Sequence, residues 1–188
     1  MLKKIFFFFV DTIQSLVFAA SIFILLYLFV AQPNQVNGRS MMPGFEDKSL
    51  LLTDKVSYRF RKPQRGDVVV FKAPPSEPCA EDECEYIKRV IGLPGEMIKV
   101  QDQKVYVNGQ LLIENYLPDD FATNPGGYFS ESREIIIPEN QYALFGDNRS
   151  HSRDSREFGP ITLSFIVGKA LFIYWPLSES GLIPAVSY

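Results

Sequence analysis

Three short segments of this sequence carry side chains that could act together on a substrate. Ser40-Met41-Met42-Pro43 offers a hydroxyl beside a proline turn, and Tyr86-Ile87-Lys88-Arg89-Val90-Ile91-Gly92-Leu93-Pro94-Gly95 sets a lysine among apolar neighbours. Gly146-Asp147-Asn148-Arg149-Ser150-His151-Ser152-Arg153-Asp154-Ser155-Arg156 is a dense run of small, polar and charged residues behind the apolar stretch 142–145. A serine hydroxyl is a poor nucleophile until a base takes its proton. A lysine can be that base only when neutral, and its ordinary pKa of about 10.4 keeps it protonated at neutral pH. Burial disfavours the ammonium and lowers that value by up to roughly 3–5 units. Strand alternation puts Lys88 on the face of Tyr86 and Val90, with Ile87, Arg89 and Ile91 opposite, a setting apolar enough for this. Taken singly, each segment also has an ordinary reading: a turn serine, a lysine on a solvated face, an ion-paired loop.

Other chemistries fit less well. His151 is the sole histidine, and its place in the polar run reads as a loop residue, not the base of a Ser-His-Asp triad. Two cysteines and one histidine do not complete a Cys/His zinc site, and neither an HExxH nor a paired CxxC occurs. No metal or cofactor is expected. The formal net charge of -3 supplies no excess of positive charge for nucleic acid phosphates.

The elements that must position these residues fall into two parts. Seven of the 16 phenylalanines lie within the first 31 residues, and residues 13–31 form an apolar stretch of 19, roughly 28 Å as a helix. This predicts a transmembrane anchor over 13–31 after a short cytoplasmic N-terminus, 1–12. Lys3 and Lys4 precede the span and the first basic residue after it is Arg39, so positive charge places the N-terminus inside and residues 32–188 outside the cell. A cleaved signal peptide is the competing reading, but Gln32-Pro33-Asn34 is a poor cleavage site. The external part holds 17 basic and 21 acidic residues, a net charge of -4, and shows no polybasic patch for lipid headgroups.

Beyond the anchor, 32–38 reads as a polar connection, and no long 3.6-residue apolar period follows. Short β-rich runs at 67–71, 86–91, 97–100, 104–107, 110–113, 142–145 and 166–174 are bounded by Gly, Pro, Asn or Asp. The expectation is therefore a mainly β domain over 32–188. Asn108-Gly109 between two apolar runs signals a two-residue hairpin, because a type I′ turn needs positive φ at both positions. Residues 73–85 and 118–133, rich in Pro, Gly, Asn and acids, read as surface loop excursions. Cys79 and Cys84 sit in the first; outside the cell they read as a disulfide, with free thiols or a redox pair as alternatives.

Together, Ser40-Met-x-Pro, Arg65-Gly-Asp-Val-Val-Val-Phe71, the segment 86–95 and Gly146-Asp-Asn-Arg-x-x-Ser-x-Asp-Ser-Arg156 closely resemble the ordered boxes of bacterial type I signal peptidases, anchor included. The likeness runs from about residue 13 to Trp175. It implies a signal peptidase/LexA-like β catalytic domain on the outer face of the plasma membrane, acting on exported preproteins cut after small residues of Ala-x-Ala type; a monomer is expected, though the sequence does not reveal the oligomeric state. It implies a dyad in which Ser40 is the nucleophile and Lys88 the general base. By the same resemblance Ser152 orients the base, and Asp147, Arg149, Asp154 and Arg156 support the site. The oxyanion would be held by the Ser40 N–H with a contribution from Gly38, where some members carry serine, which leaves the second donor open. Met41, Met42, Pro43, Phe45, Tyr86 and Ile87 match positions near the family's substrate groove.

Spacing separates this dyad from other serine–lysine enzymes. Ser40 and Lys88 are 48 positions apart, whereas β-lactamases and penicillin-binding proteins carry Ser-x-x-Lys on one helical turn. LexA-type repressors have a similar catalytic domain, but with a DNA-binding module where this chain has its apolar segment. A catalytically silent, tethered β module that only binds exported chains, and a peptidase dedicated to one substrate, are the remaining rivals.

Overall fold

A computed structural model of the protein describes residues 2–78, 84–118, 121–186 and 188. The apolar N-terminal segment is one continuous helix, α1 (Leu2–Phe29), in which residues 3–29 are exposed except Val10, which is half-buried. It opens well before residue 13 and ends before Ala31, which instead begins a strand. Three serine and threonine hydroxyls within it, on Thr12, Ser15 and Ser21, each donate to the carbonyl four residues earlier, so these polar groups are satisfied inside the helix.

The rest is mainly β, as the turn-punctuated apolar runs predict. In chain order the elements are β1 (Ala31–Gln35), β2 (Leu50–Asp54), a helical turn α2 (Ser57–Phe60), β3 (Val68–Lys72), β4 (Glu85–Gly92), β5 (Met97–Gln101), β6 (Lys104–Val107), β7 (Gln110–Leu111), β8 (Ile135–Ile136) and β9 (Gln141–Phe145). They close with α3 (Ser155–Phe158), β10 (Ile161–Thr162), β11 (Ile166–Trp175) and β12 (Gly181–Leu182). One antiparallel sheet runs β1-β2-β11-β3-β4-β9-β10, with β12 added on β11; a smaller one runs β7-β6-β5-β8.

Two sequence readings change here. The stretch 32–38, expected as a polar connection, contributes most of β1, whose register with β2 runs from Ala31↔Asp54 to Gln35↔Leu50. Its proline and polar residues are tolerated because β1 is an edge strand that owes hydrogen bonds to one side only. The segment 118–133 is not merely a surface loop: Phe129 is fully buried in the core under the small sheet, and Thr123 is buried too. The hairpin forms as expected, with Asn108 at φ 52°, Gly109 at φ 79° and Val107 paired with Gln110.

Strand β3 shows why the large sheet is stable. Its residues Val68, Val69, Val70 and Phe71 are all buried, Val68 and Val70 against one core, Val69 and Phe71 against another. An unbroken apolar run suits a strand covered on both faces. Strand β4, next to β3, inherits that burial, and this is what takes Lys88 out of water.

Candidate active site

Lys88 stands in β4 opposite Val69 of β3 and is 4% exposed. On the other side of β4, β9 pairs only from Arg89↔Phe145 onward, so the chain leaves the sheet at Gly146, level with Lys88. That departure delivers the polar run 146–156 to the lysine. Ser40 comes from the loop between β1 and β2. The base of this loop is closed by the Val36 N–H donating to Ser49 O and the Lys48 N–H to Val36 O, both at 2.8 Å. Val36, Met41 and Phe45 bury their side chains in the core beneath it. The Asn148 N–H donates to Ser40 O and the Asn148 amide to Arg39 O, each at 3.0 Å, tying the two loops together.

The outcome is a direct contact: Lys88 Nζ donates to Ser40 Oγ at 2.7 Å and to the Ile87 carbonyl at 2.8 Å. The Tyr86 ring lies 5.7 Å from the same nitrogen. Burial lowers the Lys88 pKa to about 8, against the opposing pull of Asp154 and Asp147. Ser40 itself is half-buried, so its hydroxyl is reachable from solvent.

The acids around the pair are each held by an arginine. Asp147 accepts from Arg89 Nε at 2.8 Å and Nη2 at 2.6 Å, and both residues are buried. Asp154 accepts from Arg156 Nε at 2.9 Å and Nη2 at 2.7 Å, and also takes the Gly146 N–H at 2.9 Å. Burial pushes the Asp154 carboxyl up, but the Arg156 hydrogen bond and charge outweigh it and leave the pKa below its usual value. Arg149 is fully buried and donates to Glu114, to Thr123 Oγ1 at 2.7 Å and to Gly146 O at 3.1 Å. Asp147, Arg149, Asp154 and Arg156 therefore brace the loop rather than touch Ser40.

Two expected contacts are not made. Ser152 Oγ is buried near the site but has no hydrogen-bond partner among the described residues, so it does not orient Lys88 here. It is wedged against Gly146, where even a Cβ would lie 2.2 Å from its hydroxyl. The Gly38 N–H is already committed to Asp47 Oδ1 at 2.7 Å, so Gly38 offers no oxyanion donor. The Ser40 N–H carries no hydrogen bond among the described residues. His151 is exposed, with Ser150 Oγ 2.9 Å from its Nδ1, and takes no part.

A groove of about 520 Å³ opens beside Ser40 and Lys88 between β1 and the first half of β4, with Val36, Leu51, Val70 and Ile87 as apolar lining. Of the six residues expected there, Tyr86 and Ile87 line it. Met41 and Phe45 are core residues instead, because their loop needs apolar anchors, and Met42 and Pro43 are exposed outside the lining. Sequence reasoning missed β1 altogether, and with it Asn34 and Gln35 on the groove wall. At one end Glu85 Oε2 accepts from Asn34 at 2.7 Å and Gln32 at 3.0 Å, joining the two walls. Cys79 lies outside the described residues, and with it the expected pairing to Cys84.

With this geometry in place, the comparisons with known proteins are specific. Residues 9–175 match the family described as signal peptidase, peptidase S26. The chain is 35% identical over 170 residues to the "Probable signal peptidase I-2" of Synechocystis sp., covering 90% of this chain and 75% of that protein. It is 36% identical to the "Signal peptidase I" of Leptolyngbya laminosa, covering 85% and 77%. To the "Signal peptidase IB" of Staphylococcus aureus it is 32% identical over 183 residues, covering 90% and 92%. The chain belongs to the signal peptidase family of S26 peptidases and is a serine endopeptidase of that family.

Proposed function

We propose that this protein removes N-terminal signal peptides from exported preproteins at the outer surface of the plasma membrane, through a Ser40/Lys88 dyad. The single observation that carries the dyad is the 2.7 Å contact between Lys88 Nζ and Ser40 Oγ, made by a lysine whose burial favours its neutral form. In the neutral state the Lys88 lone pair takes the Ser40 proton as Oγ attacks the scissile carbonyl carbon. The oxyanion of the tetrahedral intermediate meets the Ser40 N–H. On collapse, the Lys88 ammonium returns its proton to the leaving amine, and the signal peptide remains as an ester on Ser40. Neutral Lys88 then takes a proton from water, which attacks the ester and frees Ser40.

The groove supports an extended substrate. Strand β1 is an edge strand, and residues 85–88 of β4 pair on the β3 side alone among the described residues, so both groove walls present a strand edge with no neighbouring strand there. A peptide laid between them gains strand-like hydrogen bonds and points alternate side chains into the apolar lining. Two small residues at alternate positions, as in Ala-x-Ala, suit shallow pockets bounded by Ile87 and Val70. Helix α1 tethers the site to the bilayer, N-terminus inside, which concentrates Ser40 where cleavage sites emerge.

The test is cleavage of an Ala-x-Ala preprotein in liposomes by wild type, Ser40→Ala and Lys88→Met, each first shown to be folded, with sequencing of the product's new N-terminus. Cleavage after the second small residue by wild type alone is the expected result. Full activity of Lys88→Met would remove Lys88 as the base. Binding without cleavage by wild type would favour a silent binding module.

A further inference from the structure

The net charge of -4 outside the anchor conceals a local segregation, and the expectation of no basic patch is corrected at residues 55–65. Residues 55–65 contain Lys55, Arg59, Arg61, Lys62 and Arg65 and no acidic residue. They form the turn around α2, and its position is fixed against the end of the membrane helix. The Lys55 N–H donates to the Val30 carbonyl at 2.9 Å, and the Arg59 guanidinium lies 6.0 Å from the ring of Phe29, the last residue of α1. Asp54 holds the turn from below by accepting from the Val56 N–H at 2.7 Å and the Ser57 N–H at 3.1 Å. At the tip, Phe60 is 85% exposed.

We propose that this turn is an interfacial dock for anionic phospholipid headgroups, with the Phe60 ring inserted at the headgroup boundary and Arg59 and Lys62 against lipid phosphates. The inference rests on reading α1 as a membrane span, because the end of α1 then sets the depth of Arg59. Not all five cations are available. Lys55 donates to Gln32 at 3.2 Å, Arg61 pairs with Asp67 at 3.5 Å and Arg65 is held by Glu96. Arg59 and Lys62 are exposed and make no ion pair among the described residues. The nearby acids, Asp54 and Asp67, are both turned into the protein's own hydrogen bonds. A cationic pair flanking an exposed aromatic ring at a membrane boundary has both an electrostatic and an apolar reason to bind there. Docking this turn would fix the catalytic domain's tilt on its single helix, and so the height of the groove above the bilayer.

The test uses the full chain in lipid nanodiscs, one set of phosphatidylcholine and one of phosphatidylcholine with an equal part of phosphatidylglycerol. Trp175 is the sole tryptophan, so Phe60→Trp adds one reporter whose signal is read against wild type. Brominated lipid is expected to quench the added tryptophan in the anionic discs, and high salt to relieve much of that quenching. Adding Arg59→Gln and Lys62→Gln should lower the docked-to-undocked ratio about fivefold per charge removed in those discs and leave the neutral discs unaffected. Cleavage of a soluble peptide by every variant, unchanged, confirms that the fold and dyad are intact. Quenching that is equal in both discs and indifferent to salt, or no quenching in either, overturns the proposal. A chain that enters neither disc refutes the membrane span itself, an outcome distinguishable from failure of the turn.

Discussion

The pKa of Lys88 offers the sharpest test of the mechanism. With that pKa at about 8, about one molecule in ten holds a neutral Lys88 at pH 7, against roughly one in 2,500 for an ordinary lysine. Burial thus raises the population of competent base roughly 200-fold. The expected kcat/KM for a peptide substrate climbs tenfold per pH unit below about pH 8 and levels above it, since this ratio reports free-enzyme ionisations. A profile flat from about pH 6 to 9, or one rising only near the ordinary lysine value, would refute the assignment.

The same shift must appear in stability, with a sign that can be worked out. The folded pKa of Lys88 lies below the unfolded one, so between them the unfolded chain binds more protons and stability rises with pH. The gain between about pH 8 and 10.4 is about 3 kcal/mol, and below pH 8 the full cost of burying this lysine is borne. Urea unfolding of wild type and Lys88→Met across that window isolates the contribution, because other titrating groups are common to both. A constant difference between the two proteins would mean that Lys88 ionises alike in folded and unfolded states.

Three further substitutions probe the frame. Asp147→Asn leaves the buried Arg89 guanidinium without its carboxylate and should cost about 3–5 kcal/mol in urea unfolding; a loss below about 1 kcal/mol would mean that the pair is dispensable. Gly146→Ala introduces a Cβ 2.2 Å from Ser152 Oγ and 2.5 Å from Ser40 O, so it should displace the nucleophile loop, lowering kcat and destabilising the fold by about 1–3 kcal/mol. Wild-type kcat in that variant would show the crossing to be loose. Ser152→Ala removes a hydroxyl with no partner among the described residues, so stability should stay within about 0.5 kcal/mol of wild type. If Ser152 engages Lys88 only once substrate is bound, kcat falls while stability holds; unchanged kcat would remove Ser152 from the reaction.

Much of this was legible in sequence where the signal is local. The Asn108-Gly109 turn, the buried run of β3 and the strand carrying Lys88 each declare themselves through turn chemistry or continuous apolarity. Strand β1, Ala-Gln-Pro-Asn-Gln, does not, because an edge strand beside a groove needs neither apolar alternation nor a full set of backbone donors. Its loss from the sequence reading also lost half the groove. The partners of the buried charges were equally hidden. Glu114 and Thr123 meet Arg149 across 35 and 26 residues, and nothing in their local sequence marks them. The basic turn at 55–65 was overlooked for another reason: averaging charge over residues 32–188 erased a run that is plain in the sequence, and only its place beside the end of α1 needs the fold.

The arrangement of charge resolves a conflict built into the proposed dyad. A base near Ser40 must stay neutral, yet the loop that holds Ser40 brings Asp147 and Asp154 close, and both favour the Lys88 ammonium. Replacing these acids with apolar residues would free Lys88 but also remove the bonds that fix Gly146 and Arg89. The structure instead neutralises each acid where it stands, Asp147 with Arg89 and Asp154 with Arg156. Arg156 also acts directly, since its own charge lowers the Lys88 pKa. What reaches Lys88 from each ion pair is the weaker field of a dipole, which burial overcomes. In the proposed mechanism the arginines thereby act on proton transfer while hydrogen-bonding to neither Ser40 nor Lys88. Their positions suit this division of labour: Arg89 follows Lys88 on β4 and Arg156 stands on α3, each bonded to its acid and neither lining the groove.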